Sequence, residues 1–104
     1  ISSSVPQQEL SALVNIILPV SLRERISSVL GSEDCFSKGP DHLQWIIDET
    51  GAIRDQLLVI GDDLADYELS SLAGVDCILV DRTGKMAGSS IVSVNDLYFI
   101  KECL

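Results

Sequence analysis

The sequence predicts an α/β fold, a doubly wound layer in which helices cover a mostly parallel sheet. The run Leu57–Ile60 is apolar without alternation and stops at Gly61, a pattern typical of a strand that is buried on both faces. A second continuous apolar run, Cys77–Val80, ends at Asp81 after an intervening helical segment. Strands that alternate with helices through short connections indicate a parallel sheet.

The first fifty residues are predicted to contain two strands and two main helices. Ile1–Ser4 is read as the end of a strand, and Pro6 suits the first position of a helix because its missing N–H costs nothing there. That helix should end at Pro19 and bury one face, formed by Leu10, Leu13, Val14 and Ile17. A short helical turn over Ser21–Arg25 and a short strand at Val29–Leu30 are expected to follow.

The second main helix should open at Pro40 and reach its C-terminal cap at Gly51, with Leu43, Ile46 and Ile47 facing inward. A third helix is predicted from Leu64 to Ala73, with Gly74 as its stop. Its inward residues should be Ala65, Leu69, Leu72 and Ala73. Ile91–Val92 suggests a last short strand, and Leu97–Leu104 a final helix.

Length and charge limit the classes of function. The 104 residues suit a single domain, residues 1–104, and the formal net charge of -9 makes nucleic acid and anionic membrane poor partners. A divalent cation is a better candidate for a partner, although the negative charge can also serve solubility alone.

Three cysteines without C-x-x-C spacing argue against a disulfide scaffold or a zinc ribbon, and we expect a reducing, cytoplasmic location. No apolar run approaches the length of a membrane span.

Three carboxylates follow the central strand. Asp62, Asp63 and Asp66 fall at the carboxyl end of that strand, where open α/β sheets bind ligands. Such acids can hold Mg²⁺, which prefers oxygen ligands and takes one or two carboxylates from a protein. They can also cap the next helix, but capping explains one acid and not three.

Three further features are weaker indications of a functional site. Lys38 lies in a polar loop, where a lysine is usually solvated unless the fold brings it to the acidic edge. The serines at positions 2–4 can form a turn or grip a phosphate, and the sequence leaves both open. His42, the only histidine, is expected to cap a helix or lie on the surface, and no nucleophile is paired with it.

Taken together, these residues resemble the haloacid dehalogenase (HAD) superfamily of phosphatases. Residues 1–10, read I-S-S-S-V-P-Q-Q-E-L, are similar to its second motif, with Ser3 as the best register for the phosphate-binding hydroxyl and Ser2 as the alternative. The segment from Ser32-Glu33-Asp34 through Lys38-Gly39-Pro40-Asp41 resembles its lysine motif. Leu57–Gly74 resembles its acidic fourth motif and the helix behind it, and this is the most specific match.

The resemblance implies a HAD-like Rossmannoid three-layer sandwich and a Mg²⁺-dependent phosphate monoester hydrolase that acts on a small phosphorylated metabolite. It implies that Asp62 binds Mg²⁺ and that Asp66 orients waters or Lys38. Lys38 and Ser3 would hold the transferring phosphoryl oxygens. Asp63 would cap the helix or support the metal ligands.

The departure from the family is equally informative. Family members begin with D-x-D-x-T/V, which supplies the nucleophile and the general acid, and no such motif occurs here. We therefore expect an N-terminally truncated, incomplete domain that lacks its first strand and is inactive alone. In the family that strand lies between the strands that carry the serine and the acidic motif. The gap would be filled by another polypeptide, an upstream segment or rearranged strands.

Three competing interpretations remain open. A non-catalytic HAD-like interaction or regulatory module is compatible with the missing motif. A response-regulator receiver ranks lower, because its acidic pair should lie near the start of the chain. A dinucleotide-binding domain is disfavoured, since no G-x-G-x-x-G follows a strand.

Overall fold

A computed structural model of the chain describes residues 1–86 and 88–102, with Glu102 described by its backbone alone. The chain forms two compact units, Ile1–Thr50 and Gly51–Leu104. All pairs between the described strands are parallel, which confirms the predicted α/β class with parallel sheets. The single-domain prediction stays a prediction.

The first unit combines a two-stranded sheet with helices. Its elements are β1 (Ser2–Pro6), α1 (Gln7–Ile17), α2 (Val20–Arg23), β2 (Leu30–Ser32) and α3 (Pro40–Thr50). Strands β1 and β2 pair in parallel, and the pairing register shifts between Ser2 and Pro6 of β1. Pro6 stands at the N-cap of α1 with φ -54° and ψ 144°, so the strand passes directly into the helix.

Several boundaries and faces in the first unit differ from the prediction. Strand β1 continues to Pro6, and β2 extends to Ser32 instead of ending at Gly31. The predicted inner face of α1 is wrong in part, because Leu10 is buried while Leu13 is exposed and Ile17 is 67% exposed. The periodicity of α1 is amphipathic, but the small sheet of this unit covers only part of the stripe.

The second unit contains a three-stranded parallel sheet in the order β3-β4-β5. Its elements are a 3₁₀ turn (Arg54–Gln56), β3 (Leu58–Gly61), α4 (Leu64–Ala73), β4 (Asp76–Val80), β5 (Ser93–Val94) and a second 3₁₀ segment (Leu97–Glu102). The register of β3 on β4 sets Leu58 opposite Asp76 and Gly61 opposite Leu79. A small core forms where Ile78 and Val80 meet Ile100 and the partly buried Val94.

Helix α4 has the predicted bounds. It ends at Gly74, whose φ of 70° and ψ of 33° lie in the left-handed region that favours glycine. Its predicted inner face is wrong in part: Leu69 and Ala73 are partly buried, but Leu72 is 91% exposed and Ala65 is exposed. The buried residues of the helix are Asp66 and Ser70. The Ser70 hydroxyl donates to the Asp66 carbonyl oxygen at 2.7 Å, which satisfies its buried oxygen within the helix.

Strand β3 is not buried on both faces as predicted, since Leu58 is exposed and Ile60 is 46% exposed. Strand β3 pairs only with β4 in the described part of the chain, so its other edge is open. The last strand falls two residues later than expected, at Ser93–Val94. The end of the predicted final helix, Cys103–Leu104, lies outside the described residues. Within them, no helix has both the length and the apolar character that a bilayer crossing requires.

Candidate functional site

In the first unit, one side chain joins the serine strand to the lysine loop. The Ser32 hydroxyl, at the end of β2, donates to the carbonyl oxygen of Ser3 at 2.9 Å. The Ser32 hydroxyl oxygen also accepts a hydrogen bond from the backbone N–H of Lys38 at 2.9 Å. Ser3 and Lys38, predicted to bind phosphate together, are therefore both tied by their backbones to Ser32. Sequence reasoning missed Ser32, although a serine just after Gly31 at the end of a short strand was a signal for it.

His42 holds the two strands of this unit from within. The ring is 1% exposed, which shows that the prediction of a capping or surface role is wrong. Its Nε2 lies 2.8 Å from the Gly31 carbonyl oxygen, and its Nδ1 lies 2.7 Å from Ser2 Oγ. A carbonyl oxygen can only accept, so Nε2 donates to it, and in the tautomer with its proton on Nε2 the Nδ1 atom accepts from the Ser2 hydroxyl.

These bonds distinguish the two candidate serines. In that tautomer the Ser2 proton is directed at His42 Nδ1, which leaves Ser2 only lone pairs for a ligand. The Ser3 hydroxyl accepts the backbone N–H of Val5 at 3.1 Å, and its proton has no acceptor among the described residues. A hydroxyl that binds a phosphate oxygen must donate, and Ser3 retains that capacity.

The junction of β2 with α1 is close-packed around Gly31. A Cβ at this position would collide with backbone atoms of Gln7 and Val5. The Gln7 side chain accepts the Gly31 N–H at 2.7 Å and donates to the Val29 carbonyl oxygen at 3.1 Å. The end of β2, and with it Ser32, is thereby fixed against the start of α1.

In the second unit, two of the three acids form the start of α4. The Asp63 carboxylate accepts the N–H of Ala65 at 3.2 Å, and the Asp66 carboxylate accepts the N–H of Asp63 at 3.4 Å, a reciprocal capping box. Asp66 is 6% exposed and packs over Gly61, where a Cβ would collide with its carboxylate. The predicted role of Asp66 in orienting waters or Lys38 stays a prediction.

Asp62 differs from both of these acids. It follows β3 directly, it is exposed, and its carboxylate has no hydrogen bond or ion pair in the described part of the chain. It lines a cavity of about 220 Å³ at the carboxyl ends of β3 and β4. The remaining lining residues are Leu79, Val80, Asp81, Arg82, Thr83, Lys85 and Met86.

Asp81, which also lines this cavity, organises the loop that follows β4. Its carboxylate accepts the backbone N–H of Met86 at 2.7 Å and that of Lys85 at 3.0 Å. The Met86 N–H above all, and then that of Lys85, hold the pKa of Asp81 below its ordinary value, while desolvation opposes them. Because both carboxylate oxygens of Asp81 accept backbone N–H groups of the loop, Asp81 stabilises the conformation of the loop.

In the second unit, the side chain that can serve as a metal ligand is the carboxylate of Asp62. The exposed Asp62 carboxylate is the type of oxygen donor that Mg²⁺ prefers, and Mg²⁺ retains several waters. No cluster of three or more metal-ligating side chains of the His, Cys, Asp and Glu type occurs among the described residues. Asp62 therefore fits the role of one ligand, and further ligands would have to come from water, backbone oxygens or another segment.

The comparisons support the fold. No protein-family model and no curated protein sequence matches the chain. A crystal structure described as that of a "putative phosphoglycolate phosphatase" from Lactobacillus delbrueckii subsp. bulgaricus superposes with a TM-score of 0.77 over 96% of this chain. The two sequences are 20% identical, and the match covers 43% of that protein. The chain thus shares the α/β fold of less than half of that structure.

Proposed function

We propose that the chain is the C-terminal part of the Rossmann-like core of a HAD-like, Mg²⁺-dependent phosphate monoester hydrolase. The proposal is supported by the parallel α/β fold, by the structural similarity to a protein described as a phosphatase, and by the order of the serine, lysine and acidic segments. The nucleophilic aspartate would lie outside this chain.

The observation that carries the proposal is the contrast between Asp62 and its two neighbours. The capping interpretation of the acidic cluster accounts for Asp63 and Asp66, whose carboxylates accept N–H groups at the start of α4. It leaves Asp62 unexplained. An uncompensated carboxylate at the carboxyl end of a parallel strand is where a ligand or a metal is expected.

The phosphoryl group would be held by residues of the first unit. Ser3 would donate its hydroxyl proton to a phosphoryl oxygen, and the Lys38 ammonium would supply a positive charge. The two Ser32 hydrogen bonds would fix the backbone positions from which both side chains act. Holding charge in this way is the main contribution of a protein to phosphoryl transfer.

The reaction would follow the family scheme. An aspartate carboxylate outside this chain would attack phosphorus while the ester P–O bond breaks, and the leaving alkoxide would take its proton from the general acid of the D-x-D motif, also outside this chain. Water would then hydrolyse the aspartyl-phosphate and regenerate the carboxylate. Bound at Asp62, Mg²⁺ would neutralise charge on the transferring oxygens.

The substrate would be a small phosphorylated metabolite. The structural neighbour is described as a phosphoglycolate phosphatase, so 2-phosphoglycolate is the first substrate to test. A cytoplasmic location is proposed, supported by the free thiols of Cys35 and Cys77. A second polypeptide or an upstream segment would pair with the open edge of β3.

The test uses this chain joined to the segment that supplies the nucleophile. Asp62→Asn should reduce Mg²⁺-dependent turnover of 2-phosphoglycolate by about 100-fold or more, because an amide is a weaker ligand for Mg²⁺. Asp63→Asn is the matched control: asparagine is an equally good N-cap, so turnover should stay within about twofold of wild type. Equal rates for wild type and Asp62→Asn would refute the assignment.

The alternative is a non-catalytic HAD-like module with an interaction or regulatory role. It is favoured by the absence of D-x-D from these residues and by the open edge of β3. The same assay separates the two functions, because a non-catalytic module would show no Mg²⁺-dependent turnover even when the upstream segment is present. It would nevertheless bind that segment or a partner strand.

A further inference from the structure

Helix α1 of the first unit carries apolar side chains on two of its sides. On one side Leu10 is buried, and Val14, one turn later, is half-buried. The other apolar side is exposed and continues into α2. We call it the α1–α2 patch, and its members are Leu13, Ile16, Ile17, Val20 and Leu22. A helix that is apolar on more than the face it buries is typical of a helix that a further partner covers.

The α1–α2 patch is continuous and uncharged. Its most exposed member, Ile16, is 81% exposed. No residue from Leu10 to Leu22 is charged, although charged residues make up 22% of the chain. A single exposed leucine such as Leu72 is normal on a protein surface, whereas clustered apolar side chains without charge are typical of the centre of an interface.

Hydrogen bonds hold the two parts of the patch together. The Arg23 guanidinium, at the end of α2, donates to Asn15 Oδ1 in the last turn of α1 at 2.9 Å. The N–H of Arg23 donates to the Pro19 carbonyl oxygen at 3.0 Å, which closes the turn that carries Val20 and Leu22. The patch is therefore formed before a partner arrives, and this lowers the entropic cost of binding.

We propose that the α1–α2 patch binds a second copy of the chain in an antiparallel, two-fold arrangement. A net charge of -9 repels two copies, and an uncharged surface is where they can meet at the lowest electrostatic cost. In a two-fold contact the same patch serves both copies, so the start of one patch lies beside the end of the other.

The charges that flank the patch favour this antiparallel arrangement. Glu9 precedes the patch, and the segment 23–25, with two arginines and one glutamate, follows it. The arrangement therefore brings opposite net charges together at both ends of the contact. Glu9 and Arg25 are exposed, and their side chains form no hydrogen bond or ion pair with the described residues. Both are thus available to the partner copy.

The contact should be weak and reversible. The patch offers five apolar side chains, whereas each partner of a standard interface contributes roughly 20–30 residues. We therefore expect a dissociation constant on the order of 10–100 µM for the dimer.

Sedimentation velocity of the 104-residue chain tests the proposal. The concentration runs from about tenfold below to about tenfold above the expected dissociation constant. A reducing agent is present, because the exposed thiol of Cys35 could otherwise link two copies through a disulfide. The sedimentation coefficient of the wild-type chain should rise from that of a monomer to that of a dimer.

Substitutions locate the contact. Ile16→Lys should weaken the dimer by about tenfold or more, because it places a charge in the centre of the patch. Ile16 is exposed, so the variant should fold, and circular dichroism checks this. Leu72→Lys is the matched control: it replaces an exposed apolar residue of α4 and changes the net charge equally, and it should keep the wild-type dissociation constant.

Charge reversal tests the orientation of the two copies. Glu9→Arg and Arg25→Glu should each weaken the dimer about threefold, because each places like charges at the ends of the contact. The double variant Glu9→Arg/Arg25→Glu should recover most of this loss, since opposite charges then meet again.

Three results would overturn the proposal. The first is a monomer at every concentration. The second is a dimer that Ile16→Lys leaves intact, which would assign association to another surface such as the open edge of β3. The third is a double variant whose loss equals the sum of the two single losses, which would exclude the antiparallel arrangement. Self-association at the α1–α2 patch is independent of the proposed phosphatase activity, so either can fail without the other.

Discussion

His42 shows how a single side chain can join two strands. The ring is buried, and its two nitrogens contact Ser2 on β1 and the Gly31 carbonyl oxygen on β2. The described residues place the Phe36 ring beside it, with a centroid distance of 4.7 Å, and no carboxylate forms a hydrogen bond with it. A buried ring whose two nitrogens both have partners within the first unit connects the two strands and is not available as a general base.

Replacement of His42 should therefore cost stability. His42→Ala leaves a cavity and strips the Gly31 carbonyl oxygen of its partner, and we expect a loss of about 2–4 kcal/mol in the free energy of unfolding. Urea denaturation followed by circular dichroism measures it. The control Ser2→Ala removes one hydrogen bond but keeps the ring, and should cost only about 1 kcal/mol. Equal effects for the two variants would contradict the bridging role.

At the scale of an element, helix α4 explains why acids cluster after β3. The carboxylates of Asp63 and Asp66 accept backbone N–H groups in the capping box, and the Asp66 carboxylate also fills the space over Gly61. The bounds of α4 were predictable because its start and its stop at Gly74 are both local signals. Its buried face was not predictable, because hydrophobicity alone predicts that Leu72 is buried. The structure instead buries Asp66 and Ser70, whose polar atoms form hydrogen bonds at the start of the helix and within it.

The loop after β4 depends on Asp81, and its stability should depend on pH. The pKa of Asp81 is lowered in the folded state, so its contribution is complete above an ordinary aspartate pKa of about 3.9 and is lost as pH falls through the lower folded value. Asp81→Asn should lower the Tm at pH 7. The difference in Tm between wild type and variant should shrink below about pH 4 as Asp81 becomes protonated.

Thermal denaturation between pH 2 and pH 7 measures this difference, and Asp76→Asn is the control. Asp76 is exposed at the other end of β4 and forms no side-chain hydrogen bond with the described residues, so its substitution should leave the Tm nearly unchanged. A Tm difference for Asp81→Asn that is constant over the whole pH range would show that its carboxylate charge does not stabilise the loop.

At the scale of the whole molecule, the order of strands and helices follows from the sequence, whereas the extent of burial does not. Uninterrupted apolar runs located β3 and β4, and the acidic segment follows the end of β3 as expected. Ser2 and Ser3, which were expected at the end of a strand, lie instead at the start of β1, because that strand continues to Pro6. The prediction of full burial assumed a complete sheet. Units of about fifty residues bury less of their surface, which leaves apolar side chains such as Ile17, Ile60 and Leu72 exposed.

Residues outside the recognised motifs could not be read from the chain. His42 owes its position to contacts that no local pattern encodes, and Arg82 and Lys85 owe theirs to the geometry of the loop after β4. His42 in particular follows Pro40 in a helix whose polar first turn resembles a surface feature. One of its hydrogen-bond partners, Ser2, lies forty residues earlier in the chain.

The incompleteness of the candidate site leads to a prediction for the molecule as it stands. The 104 residues contain no D-x-D motif, so the chain lacks the nucleophile of the proposed reaction while retaining Asp62, Ser3 and Lys38. Binding groups without a nucleophile can hold a phosphate ester but cannot form the aspartyl-phosphate. The purified chain should therefore show no turnover of p-nitrophenyl phosphate above the background rate with Mg²⁺ present.

The measurement must exclude a contaminating phosphatase. The Asp62→Asn variant, purified in the same way, provides the reference, because a contaminant does not respond to a substitution in this chain. Equal background rates in the two preparations are the expected result. Mg²⁺-dependent hydrolysis that is present in the wild-type chain and lost in Asp62→Asn would show that these residues alone complete an active site, and a nucleophile would then have to be sought among them.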